Sequence, residues 1–391
     1  MEKGYQENLS IKNRSCEKKG LSFMEIIDIV DEYGNPTGDT VDREIAHARG
    51  IRHRTSHIWL LREREDGIQI LLQKRSDIKD SNPGCYDISS AGHIPARVGW
   101  VSSALRELKE ELGLDAKPSD LHYCGSRTIH MSGEFYGKKF IDSQVSNVYY
   151  LWRDVEPEEL QLQVTEVSSV MWINLELCKD YVENHRFKNC ISLEELNMLP
   201  DRRPHKKIAV LFPGVGYTCE KPLLRDSALL AKELGYEVAA LDYGEKIHGF
   251  KGRNMADLEP FVYEALDRVL MQQRAIAWGS YERIVFISKS IGTVIACECE
   301  SRLGMNVRHF LMTPIPLTLP WLAQADGQFV AGTADPYMNR ELVEKMVQEH
   351  PQKLGMIFEG CNHSLMVPGD EAGNLRREQQ VMDCLRRVLE A

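Results

Sequence analysis

The chain has 391 residues, 43% of them hydrophobic, and a formal net charge of −10. That length exceeds a single ordinary core and predicts two domains, while the acidic balance argues against a general nucleic-acid or anionic-membrane binder. No apolar run reaches the about 20 residues that span a bilayer, the polar, basic N-terminus lacks an apolar signal region, and ten scattered cysteines without CxxC pairs fit reduced thiols. A cytoplasmic protein acting on small molecules is the expectation, with no membrane or nucleic-acid partner and an oligomeric state that the sequence leaves open.

Residues 1–22 are polar and aperiodic and predict a disordered extension. Folding is expected to begin near Met24, with a strand over Glu25–Val30 and a turn over Asp31–Gly38. His47, His53 and His57 follow within a short region, and His93 lies further on. Taken one by one they fit polar surface or supporting positions. Strands are predicted at Ser56–Arg62, Ile68–Arg75 and Tyr86–Ala91, the last leading into the stretch Gly92–Leu114.

On a helix starting near Gly99, residues Val101, Ala104, Leu105, Leu108 and Leu112 form one apolar stripe. Glu107, Glu110 and Glu111, spaced i, i+3 and i+4, gather on an adjacent face, and Gly113 follows as a C-cap. Like charges at that spacing repel by a few tenths of a kcal/mol per pair, roughly. A divalent cation would turn the repulsion into a hard oxygen-ligand site. Gly92, Arg106, Glu107, Leu108, Glu110, Glu111, Gly113 and Leu114 match the pattern G-x5-E-x7-R-E-U-x-E-E-x-G-U at every fixed position but one.

This stretch resembles the Nudix hydrolases. The resemblance implies an α/β/α sandwich and Mg²⁺ or Mn²⁺ held by Glu110 and Glu111 near the Gly92 carbonyl. It makes Glu107 a further ligand or the base that activates water, oriented by Arg106. Val98 stands where the pattern has its first Glu, and Arg97 where a glycine is common. SHIWLL, LLQKRS and SSAGH also look like type 1 isopentenyl diphosphate isomerases, which use histidine ligands. Ala91 stands where those enzymes have their catalytic Cys.

Strands are next predicted at Leu121–Ile129, Gln144–Trp152 and Val167–Ile173, then a closing helix over Leu175–Asn184. The resemblance implies one more metal-binding carboxylate in this region. Gln144 stands where it was sought, and Glu158, Glu159 and Glu166 are open alternatives. The first domain is thus set at 23–190, a polar link with Pro200 and Pro204 at 191–206, and a second domain at 207–391.

From Lys207 strands and helices alternate, which predicts a doubly wound, mainly parallel sheet. The strand ending RIVFI runs into Ser288-Lys289-Ser290-Ile291-Gly292 and then a helix, the strand–turn–helix setting of a nucleophile elbow. Asp335 and His363 follow later strands, at the carboxyl edge where such sheets carry chemistry. The order Ser, Asp, His, with Phe212–Gly216 leaving the first strand, resembles the α/β-hydrolase superfamily near its small dienelactone-hydrolase-like members. That resemblance implies Ser290, His363 and Asp335 as a catalytic triad, with oxyanion donors from the backbone N–H groups of Ile291 and Val215.

The expected fold is therefore α/β, a Nudix sandwich followed by an α/β-hydrolase. The expected function is bifunctional, with a metal-dependent diphosphatase joined to a serine esterase or thioesterase. In the alternatives, the first half senses a nucleotide-like ligand or is isomerase-like, or the second half is an inert interaction domain.

Overall fold

Two hydrophobic periods divide the chain, and each builds its own sheet. In the computed structural model, residues 25–79, 81–135, 137–244 and 258–391 are described, so the expected extension 1–22 lies outside the described residues. The first element is an antiparallel pair, β1 (Ile26–Val30) with β2 (Pro36–Asp42). The short helix α1 (Arg43–Arg49) follows, capped by Asp42, whose carboxylate accepts from the Glu44 and Ile45 amides.

The N-terminal sheet runs β5 (Tyr86–Asp87), β4 (Gly67–Arg75), β3 (His53–Arg64), β8 (Lys138–Trp152), β7 (His122–Phe135). The strand β6 (Ser90–His93) adds to β3 and β9 (Val167–Asn174) to β4. Among the described residues, only the β3–β8 strand pairing is parallel in this sheet. Alternation along β3 decides the layers: Ile58 and Leu60 pack beneath α2 (Trp100–Leu112), while Trp59 and Leu61 pack with α3 (Leu175–Glu183). That is the expected sandwich, with α2 laid across the strand that carries Gly92.

The C-terminal sheet is parallel throughout, in the order β11 (Tyr236–Ala240), β10 (Lys206–Phe212), β12 (Tyr281–Lys289), β13 (Arg308–Met312), β14 (Asp326–Gly332), β15 (Leu354–Phe358). One face, with Leu211, Ile287 and Phe310, packs on the helices Pro222–Glu233 and Glu371–Glu390. Val210, Phe212 and Phe286 face the helices Glu259–Gln273 and Ile291–Leu303. This is the expected doubly wound, parallel arrangement.

The stretch expected as a polar link is largely folded. Ile191, Leu196 and Leu199 are buried with Trp59 and Tyr150, whereas Glu194, Asn197 and residues 201–203 and 205–206 stand exposed. Glu195, within the short helix Leu193–Leu196, is drawn inside by His57 Nδ1 at 3.0 Å, Trp59 Nε1 at 2.9 Å and Arg127 Nη1 at 2.8 Å. A buried carboxylate needs such partners. The two halves also meet directly. Asn147 Nδ2 donates to Leu303 O at 2.7 Å, Tyr149 Oη to Gly304 O at 2.8 Å and Tyr150 Oη to Gly279 O at 3.1 Å. Trp100, Tyr149, Met305 and Phe286 belong to one continuous apolar cluster.

Candidate active sites

In the N-terminal half, β6 and α2 create the first site. Successive strand residues point to opposite faces, so Gly92 faces α2 and His93 faces away. A Cβ on Gly92 would lie 2.1 Å from Glu107 Cδ, so only glycine lets the carboxylate sit against the strand. Glu111 is buried beside it and accepts from the Ala91 amide at 3.1 Å. Burial pushes the pKa of Glu107 and of Glu111 up to about 7, against the opposing pull of Arg106 on the first and of hydrogen bonds on the second. Glu110 is turned elsewhere, half-exposed and paired with Arg106 Nη1 at 3.1 Å, while Arg106 Nη2 holds Glu107 at 2.6 Å. A buried carboxylate beside a largely buried one, both with raised pKa, fits a divalent cation. Glu107 and Glu111 fit it directly; Glu110 would reach it only by leaving Arg106.

Positive charge rims this site. Arg75 binds Asp87 at 2.9 Å, Arg43 binds Glu25 at 2.9 Å and Lys79 binds Glu166. Burial first, then the Arg75 charge, lowers the Lys79 pKa. Val98 packs against the apolar core, and its carbonyl accepts from Arg54 Nη2 at 3.0 Å. Arg97 adopts φ 65°, the left-handed conformation that explains why glycine suits that position.

The histidines depart from the expectation of polar surface. His47 from α1, His53 from β3 and His93 from β6 each present a ring nitrogen within 4.8 Å of the others. His57 is not among them, since it binds Glu195. Glu158, Glu159 and Glu166 lie outside this group; Asp142 on β8 approaches two of the three histidines, 3.8 Å from both His47 Nδ1 and His53 Nε2. Gln144, two residues on, is in register with His53.

In the C-terminal half the elbow is drawn tight. Ser290 has φ 58° and ψ −124°, outside the ordinary regions, and the helix Ile291–Leu303 starts immediately after it. Gly292 permits the turn, since a Cβ there would meet Phe212 O at 2.3 Å. His363 Nε2 lies 2.8 Å from Ser290 Oγ, and His363 Nδ1 lies 2.7 Å from Asp335 Oδ2. Asp335 is buried and its other oxygen accepts from the Tyr337 amide at 2.9 Å. Burial lowers the His363 pKa, the Asp335 hydrogen bond opposes this, and the Lys289 charge lowers it further. Ser288 is buried, with Oγ 3.4 Å from Phe310 O.

The Ile291 N–H is the first of its helix and so has no intrahelical acceptor. Val215 sits in the loop closed by the Gly214–Tyr217 bridge, and a Cβ on Gly214 would lie 3.1 Å from Ser290 Cβ. The sequence reading passed over Lys289. Its ammonium is buried, donating to His363 O at 2.7 Å and to Thr313 Oγ1 and lying over the Tyr217 ring. Burial pulls its pKa down to about 7, and Asp335 opposes this. The signal available in the sequence was a lysine at a position that strand alternation makes interior.

Among known proteins, residues 51–189 match the model of the NUDIX domain. An uncharacterised Nudix hydrolase of Clostridium acetobutylicum is 34% identical over 160 residues, 41% of this chain and 75% of that protein. The Nudix hydrolase YfcD of Escherichia coli strain K12 is 33% identical over 161 residues, 41% of this chain and 79% of that protein. Of solved structures, one from Deinococcus radiodurans overlays 44% of this chain and 97% of its own at 18% identity and TM-score 0.33. An alpha-beta serine hydrolase homologue from Coxiella burnetii overlays 46% of this chain and 88% of its own at 14% identity and TM-score 0.34. Through its N-terminal half, the chain belongs to the Nudix hydrolase family.

Proposed function

We propose that the protein is a two-site hydrolase, cleaving a diphosphate linkage in a small molecule at the first site and an acyl ester or thioester at the second. The observation that carries the second activity is the unbroken hydrogen-bonded series Ser290, His363, Asp335. His363 accepts the Ser290 proton as Oγ attacks the acyl carbonyl, and Asp335 holds the imidazole tautomer and stabilises the imidazolium. The amides of Ile291 and Val215 would then meet the developing oxyanion, each worth about 3 kcal/mol when aligned. Collapse breaks the ester C–O or thioester C–S bond, the leaving alcohol or thiol takes the proton from His363, and water then releases the acyl group with His363 again as base.

At the first site, Glu107 and Glu111 would hold Mg²⁺ or Mn²⁺, with the Gly92 carbonyl and Glu110 as further ligands. The ion supplies polarisation of the phosphoryl oxygen and an acidified water. Arg106 keeps Glu107 in place for proton transfer, and Arg75 and Lys79 offer positive charge to the phosphates. Val98 in place of a carboxylate favours a second reading, in which this half binds a nucleotide-like ligand without cleaving it.

One substrate panel separates these readings: nucleoside diphosphate compounds and acyl esters offered to wild type, Glu111→Gln and Ser290→Ala. Diphosphate cleavage lost only in Glu111→Gln, and ester cleavage lost only in Ser290→Ala, supports two sites. Micromolar nucleotide binding without turnover supports the sensing reading and removes the diphosphatase.

A further inference from the structure

Beside the triad stands a residue that the mechanism has not used. Tyr337 follows Asp335 by two positions, and its loop is held at both ends. Asp335 before it and Met338 after it are buried, which leaves Tyr337 turned outward. Its amide donates to Asp335 Oδ1 at 2.9 Å. Its ring meets the His363 imidazole edge to face, with centroids 4.8 Å apart and planes at 73°. Both nitrogens of that imidazole are engaged by Ser290 and Asp335, so Tyr337 packs on the carbon surface that remains.

Packing on His363 still leaves Tyr337 50% exposed. Met366, three residues past His363, is likewise a large apolar side chain and 47% exposed. Its loop is tied down: Asn362 Oδ1 accepts from the Ser364 amide at 2.9 Å and the Met366 amide at 3.2 Å. The Asn362 amide donates in turn to Met366 O at 3.0 Å, and the Ala334 amide joins the two loops by donating to Cys361 O at 2.9 Å. Single exposed apolar side chains are ordinary. Here one comes from each of the two loops that carry Asp335 and His363, which marks a surface for a ligand to cover.

The reaction itself says which part of a substrate covers it. The carbonyl oxygen must lie toward the Ile291 and Val215 amides, on the Gly214 side of Ser290. The expelled oxygen or sulfur must come within reach of His363 Nε2, which gives it a proton. Whatever is attached to that atom therefore extends past the imidazole, where Tyr337 stands. The acyl chain leaves the same carbon in another direction.

We propose that Tyr337 sets specificity at the serine site by binding the leaving group, and that the ester or thioester cleaved there expels a bulky apolar alcohol or thiol. Met366 extends the same surface. This inference rests on the serine-hydrolase reading of the second site.

The test holds the acyl group constant. Acetate esters of ethanol, hexanol and 2-phenylethanol expel alcohols of similar acidity, so their kcat/KM values differ mainly through contacts to the alcohol. Wild type should favour the two larger alcohols by about tenfold or more, and Tyr337→Ala should remove most of that preference. Tyr337→Phe should keep it, because the contact is apolar. With ethanol held constant and the acyl chain lengthened from acetate to hexanoate, the ratio of wild type to Tyr337→Ala should stay flat. A small fluorophosphonate expels fluoride and offers Tyr337 no alcohol, so labelling of Ser290 should persist in Tyr337→Ala and shows that the variant is folded. A wild type that takes no label would overturn the serine-hydrolase reading and this inference with it. With labelling intact, three results overturn this inference alone: no preference among the alcohols in wild type, a loss in Tyr337→Ala that is equal across them, or a loss that tracks acyl length.

Discussion

The two candidate active sites differ in how they balance charge. In the C-terminal half each polar atom of the triad finds a protein partner: Ser290 on His363, His363 on Asp335, Asp335 on the Tyr337 amide. In the N-terminal half, Glu111 is buried beside the largely buried Glu107, and the pKa of each is pushed up to about 7. The triad is a continuous series of hydrogen bonds, whereas the carboxylates keep a raised pKa despite an arginine on Glu107 and a backbone amide on Glu111.

The sharpest break in this comparison comes from crossing the two knockouts. Ser290→Ala should cut ester cleavage by about 10³-fold or more and abolish fluorophosphonate labelling, while diphosphate cleavage stays at wild-type level and still requires added metal. Chelator should do the reverse. Ester cleavage that falls with chelator would erase the distinction. Asp335→Asn comes next, with a loss of about 10³- to 10⁴-fold through the wrong imidazole tautomer, measured as kcat/KM on the same ester.

Lys289 sharpens the comparison, since it places an unusual charge inside the otherwise balanced site. His363 must be neutral to accept the serine proton, and the Lys289 charge adds to burial in keeping its pKa low. In Lys289→Met that contribution disappears and His363 takes up a proton more readily. The acid limb of kcat/KM should therefore move to higher pH, costing about two- to threefold near pH 6 for a one-unit move, approaching about tenfold at lower pH, and little at pH 8. An unchanged pH profile with a uniform loss would make Lys289 a packing residue only.

Stability effects are smaller. Tyr149→Phe removes the hydroxyl that holds the Gly304 carbonyl and should cost about 1 kcal/mol, read as a lower Tm with both activities intact. Arg97→Gly relieves a left-handed backbone at φ 65°. It should be neutral or stabilising by up to about 1 kcal/mol, and a clear loss would show that the Arg97 side chain is needed.

The box and the triad were readable for the same reason. Glu107 and Glu111 lie on adjacent turns of one helix, and Ser290, Asp335 and His363 each follow a predictable strand, so local period places them. The histidine cluster has no such local rule, because its members come from α1, β3 and β6. The seven-residue helix that carries His47 is too short for a clear period, and its signal was the Asp42 cap. Asp142, not Gln144, approaches His47 and His53, since register along a long strand is not fixed by its own residues. The link was misjudged through Glu195: a charge that composition reads as surface is interior because His57 and Arg127, distant in sequence, wait for it.

The helix that begins at Ser290 ends at Leu303, and Gly304 beyond it has no room for a Cβ, which would meet Trp100 Cβ at 2.5 Å. Trp100 is the first residue of the helix that carries Glu107 and Glu111. The tail of one helix thus abuts the head of the other, bringing partial negative charge to partial positive charge, an attraction of roughly a few tenths of a kcal/mol. Ser290 immediately precedes the other end of the one helix, and Glu111 lies in the last turn of the other. A side chain added at the joint, as in Gly304→Ala, would push on both helices at once.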